Sequence, residues 1–171
     1  MKKLLLPFFL TGTLAMMVVM AKTGATLKTA ATPLGILNLE FAYNNSKATA
    51  VVNAWSAGVA VDNIRVAQVN TWWDFLFLFF YAGFLCLACT KISKNISGSF
   101  GKAGKQIAKG ALLAGFLDII ENTGMLLTLS NKGSSIIAFV TTFVSVIKWV
   151  LALIALLYVL TGIILLVFRK R

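Results

Sequence analysis

The stretch GFLDIIENTGMLLTLS, Gly115 to Ser130, places Asp118, Glu121 and Asn122 inside an apolar run. Spacings of three and four put all three on one helical face, and Met125 continues that stripe. Two carboxyls and a carboxamide arranged this way can hold a proton, coordinate a cation or bind the headgroup of an amphiphile. An Asp in hydrocarbon costs at least ~2.5–3.5 kcal/mol, so such groups turn toward a bundle interior or a water-filled cavity. Two acids one turn apart also repel each other unless a proton or cation sits between them.

Three further polar residues lie in apolar surroundings. Asp74 stands near the start of TWWDFLFLFFYAGFLCLACT, and Tyr81, seven residues on, shares its face. Lys148 is the only basic residue inside an apolar run, with Thr141 and Ser145 on its side of the helix. A lysine stem can extend along a helix, so an Asp74–Lys148 ion pair is expected, with Glu121 as a deeper alternative. The expected polar pocket comprises Asp118, Glu121 and Asn122, with Asp74, Tyr81 and Lys148 above it. The plainer alternative is that these groups only fix helix register, at roughly 0.6–2 kcal/mol per interhelical contact.

Other chemistries find little support. The chain has no histidine, which removes the usual metal ligand and the usual base. It has no glycine-rich phosphate loop and no nucleophile elbow. Cys86 and Cys89 form a CxxC pair of the kind found in quinone-linked thiol oxidoreductases, but no further cysteine could relay electrons, and apolar cysteines are often simply buried. No metal and no cofactor is expected.

The elements that must position these residues follow from composition. Of 171 residues, 59% are hydrophobic and the mean hydropathy is +0.89, well above the roughly 45–50% apolar content of soluble domains. The apolar residues fall in runs long enough for a bilayer core of about 30 Å, which takes roughly 20 helical residues. We read one membrane domain over 1–171, with spans at about 4–20, 71–90, 111–130 and 147–168. Val19-Met20-Ala21 could pass as a signal-peptide cleavage site, but the apolar stretch exceeds the usual ~7–15 residues, so a retained helix is expected.

The formal net charge is +11, yet ten of the sixteen basic residues sit in three places: Lys2 and Lys3; Lys91, Lys94, Lys102, Lys105 and Lys109; and Arg169, Lys170 and Arg171. These are the ends and one loop of the apolar set, which is a positive-inside pattern. No nucleic-acid motif accompanies the charge, so nucleic acid is not an expected partner. Residues 91–110 are read as a basic inner loop whose Lys102, Lys105 and Lys109 share one face and can meet anionic lipid headgroups. Gly110, Ala111, Ala114 and Gly115 form small-xxx-small pairs suited to close helix contact.

Residues 21–70 together with 131–146 are read as an outer cap. Pro33 suits a helix start in ATPLGILNLEFA, with Leu34, Leu37 and Phe41 at helical spacing and Leu39 off that stripe. Ser46 can cap a second helix that places Ala48, Val51, Val52 and Trp55 on one face. Trp72, Trp73 and Trp149 mark one membrane interface. The expected fold is therefore all-α: a four-helix transmembrane bundle with a small extracytoplasmic helical cap.

TPLGILNLEFA, Trp55 after it, WWDFLF with Asp74, and LDIIEN together resemble an uncharacterised family of short bacterial four-helix integral membrane proteins, over about residues 32–125. The resemblance implies a bacterial inner membrane and four helices, and it implies no activity. It also implies that Glu40, Asp74, Asp118, Glu121 and Asn122 belong to one constellation; Glu40 alone would read as a solvated loop acid. The expected function is a multi-pass membrane protein, both termini cytoplasmic, whose polar pocket binds or conducts a proton, cation or amphiphile headgroup. Two alternatives stay open: a membrane-embedded enzyme using a carboxyl as general acid on a lipid or quinone, and an accessory subunit of a larger membrane complex. Membrane lipids are expected partners, and a membrane-protein partner or a second copy is an open one.

Overall fold

Long apolar runs without an internal proline form long helices, and four of them dominate the computed structural model, which describes residues 4–57 and 61–168. They are α1 (Leu5–Thr23), α4 (Asn63–Asn95), α5 (Gly98–Leu127) and α6 (Ser135–Phe168); between α1 and α4 lie the short α2 (Leu37–Glu40) and α3 (Asn45–Ser56). No strand occurs among the described residues. All four long helices are long and apolar enough to cross a membrane, and α6, at 34 residues, runs about 50 Å at 1.5 Å per residue. The expected terminal basic residues Lys2, Lys3, Arg169, Lys170 and Arg171 lie outside the described residues.

Helix α5 is the hub and packs on both α4 and α6, which also touch each other. Its buried stripe begins with only small residues, Gly101, Gly104, Ala108, Ala111, Ala114 and Gly115. Small side chains let backbones approach closely where lipid offers no hydrophobic drive for association. A methyl added at Gly115 would lie 2.8 Å from the Ala82 methyl, and one at Gly104 would run into the Tyr158 hydroxyl. Tyr158 stacks on Phe100, centroids 4.5 Å apart, and donates to the Phe100 carbonyl at 3.2 Å. Helix α1 packs mainly on α4, through Phe8 and Phe9 against Phe79 and Phe80. The opposite face of α6 carries exposed Phe139, Phe143, Val146, Val150, Leu153 and Leu157, a stripe suited to lipid.

The basic stretch 91–110 differs from the expected loop. It is helical except at Ile96 and Ser97: α4 continues to Asn95 and α5 begins at Gly98, whose φ of +81° turns the chain. Lys91, Lys94, Lys102, Lys105 and Lys109 are all exposed there.

The cap also departs from the expected pattern. The left-handed Gly35, φ +62°, interrupts the helix predicted from Pro33, leaving only Leu37–Glu40 helical. This reverses the expected face: Leu34 and Phe41 are exposed, whereas Leu39 and Ala42 are buried. The second cap helix starts one position earlier than a Ser46 cap would give. The Asn44 side chain accepts from the Lys47 amide at 2.9 Å and caps α3. Ala48, Val51 and Trp55 are buried as the spacing predicts. The Trp55 indole donates to the Leu27 carbonyl at 3.0 Å, and the Leu27–Trp55 core continues onto Ala67, Met125, Leu129 and Ala138. The cap therefore rests on the outer ends of α4, α5 and α6.

Candidate functional site

Above the stripe of small residues, the buried face of α5 changes to long polar side chains: Asp118, Glu121 and Asn122, then Met125. The matching heights on the neighbouring helices carry Asp74 and Lys148. Asp74 is 21 residues before the end of α4, Asp118 is 20 residues into α5, and Lys148 is 20 residues before the end of α6. Each is thus about 30 Å from the basic end of the bundle. The three helices bring these side chains to one level because α5 runs antiparallel to α4 and α6.

Lys148 Nζ is the centre of the cluster. It donates to Asp118 Oδ1 at 2.9 Å and to Glu121 Oε1 at 2.8 Å, and Glu121 Oε2 also lies 2.8 Å away. Glu40 Oε2 lies 3.8 Å from the same nitrogen. The Tyr81 hydroxyl donates to Asp118 Oδ2 at 2.8 Å, so each Asp118 oxygen has its own donor. Tyr81 therefore acts on Asp118 directly and is not an upper rim to the site. Glu121 and Asn122 are 0% exposed and Asp118 is 1% exposed.

The expected Asp74–Lys148 ion pair does not form; the lysine goes to the two α5 carboxylates instead. Asp74 is buried beside them, within electrostatic reach of Asp118, Lys148, Asn122 and Glu40. The physical reason is depth. Counting inward from the helix ends set Asp118 and Glu121 near mid-membrane and Lys148 near the outer boundary, but the packed helices are offset so that all three share one height.

Glu40 reaches the cluster from the cap. Its carboxylate accepts from the Trp149 indole at 3.2 Å, and its carbonyl accepts from the Thr142 hydroxyl at 2.8 Å. Trp149 and Thr142, both on α6, are contributors that the sequence reading did not assign to the site. The signal was there in part: a tryptophan adjacent to the one lysine in an apolar run sits wherever that lysine does. Four of the chain's five acidic residues are buried in this cluster. The fifth, Asp62, caps α4 by accepting from the Arg65 amide at 3.0 Å. Among the described residues no three acidic or thiol side chains converge as metal ligands would; the carboxylates converge on an ammonium.

The remaining candidates lie apart from this site. Lys102, Lys105 and Lys109 are exposed on α5 toward its basic end. Cys86 is half-buried and Cys89 buried, both as free thiols, and the Cys89 thiol faces the Ala155 carbonyl at 3.7 Å. No family model, curated protein or solved structure matches the chain.

Proposed function

We propose that this protein is a small multi-pass membrane protein that binds a proton or small cation in the acidic cluster beneath its cap. One observation carries the reading: four carboxyl groups are buried around a single ammonium. Were all four ionised, three negative charges would remain without a partner. An uncompensated charge in a low-dielectric interior is strongly unfavourable, so positively charged species must make up the difference. Protons or small cations can do so within a cluster whose members are all more than nine-tenths buried. A register-fixing role needs one buried pair, not four acids on three helices and a cap.

In this reading the exposed lysines at the α4–α5 turn face the cytoplasm of a bacterial cell, following the positive-inside rule. Both termini then lie on that side, and the cap lies outside the inner membrane. Lys102, Lys105 and Lys109 would meet anionic headgroups of the inner leaflet. The test is reconstitution of the full chain alone in liposomes that contain a pH indicator or a sodium indicator, under an imposed membrane potential. Uptake above that of empty liposomes, lost in Asp118→Asn and Glu121→Gln, is the expected result. Wild-type liposomes that behave like empty ones, or variants as active as wild type, would refute it.

A further inference from the structure

Within the cluster, Asn122 and Asp74 stand outside the network that Lys148 organises. Asn122 is fully buried, yet neither Nδ2 nor Oδ1 has a hydrogen-bond partner among the described residues. Buried polar groups are nearly always satisfied, because leaving one unmet forfeits its hydration with nothing in return. The polar neighbour of Asn122 is Asp74, which is not an ion-pair partner of Lys148. Turning the amide so that Nδ2 serves Asp74 would still leave Oδ1 an acceptor without a donor. A carboxylate and a carboxamide oxygen side by side call for a positive species between them.

We propose that Asp74 and Asn122 form the seat of a small monovalent cation, sodium or hydronium, next to the Lys148 cage and separate from it. This rests on the proposed function and narrows it. The surrounding groups exclude anions: Asp118 on α5 and Glu40 on the cap face the same spot, and Lys148 on α6 is already engaged by Asp118 and Glu121. A divalent ion of the calcium type takes six or more oxygen ligands, and no three acids converge here. Oxygen donors of this kind suit a hard cation, and burial limits it to a small one.

The experiment uses the full chain in detergent. Thermal unfolding is compared in sodium chloride and in choline chloride at equal ionic strength, since a bound ion raises the midpoint with its concentration. Proton uptake on a pH step is followed with an indicator in the choline medium. For sodium, the wild-type midpoint rises with sodium and the rise vanishes in Asp74→Asn and Asn122→Leu while persisting in Glu40→Gln. For hydronium, sodium has no effect and proton uptake falls by about one per chain in the same two variants. If neither signal depends on Asp74 and Asn122, the seat does not exist. Asn122→Leu removes both unmet atoms at similar volume, so its midpoint in choline should equal or exceed that of wild type; a marked drop would show that the protein itself satisfies the amide and would overturn the proposal. Liposome uptake that survives in both variants sinks this seat but leaves the wider cluster reading intact, whereas absence of wild-type uptake sinks the wider reading.

Discussion

Replacing Lys148 with Met keeps the length and volume of the stem but removes the charge on which Asp118 and Glu121 converge at 2.8–2.9 Å. Removing one partner of a buried pair typically costs about 3–5 kcal/mol, because the other charge is left uncompensated. Here two bonded carboxylates and a third at 3.8 Å lose their cation together, so the upper part of that range is expected. The effect should be non-additive. Lys148→Met combined with Glu121→Gln should recover at least ~1 kcal/mol relative to the sum of the single changes, as residues in one network couple by roughly 0.5–3 kcal/mol. Lys148→Met combined with Asp74→Asn should couple less strongly, since Asp74 makes no direct ion pair with the lysine. Reversible unfolding in mixed micelles with increasing SDS, read by tryptophan fluorescence, supplies the four free energies of each cycle. Additive behaviour of the Lys148–Glu121 cycle, or stronger coupling to Asp74 than to Glu121, would refute the geometry of the cage.

Two further changes test the scaffold around that cage. Tyr81→Phe keeps the ring and removes the 2.8 Å donor to Asp118; loss of a hydrogen bond to a charged group should cost about 1.5–3 kcal/mol in the same unfolding assay, and a loss below the error of measurement would show that Asp118 does not depend on it. Gly104→Ala drives a methyl into the Tyr158 hydroxyl; overpacking of this kind costs about 1–3 kcal/mol, and the double change Gly104→Ala with Tyr158→Phe should restore part of it, whereas no recovery would place the strain elsewhere.

The periodicity of α5 by itself fixed the inward turn of Asp118, Glu121 and Asn122, because spacings of three and four on a helix leave them one shared face and hydrocarbon disfavours exposing it. Long apolar runs likewise determined the four long helices, and the lysine spacing kept Lys102, Lys105 and Lys109 on one exposed side. What the sequence could not determine was the axial offset between helices. That offset comes from how closely α4 and α6 settle against Gly101, Gly104, Ala111 and Gly115, and it decided that Lys148 meets Asp118 and Glu121 and not Asp74. The burial of Glu40 was equally a tertiary result, visible beforehand only through the resemblance. The left-handed Gly35 stops the predicted helix, and the shortened turn that follows swings the Glu40 carboxylate onto the Trp149 indole of α6. Helical pattern governs which way a side chain faces along its own axis; only packing between helices governs what it finds there.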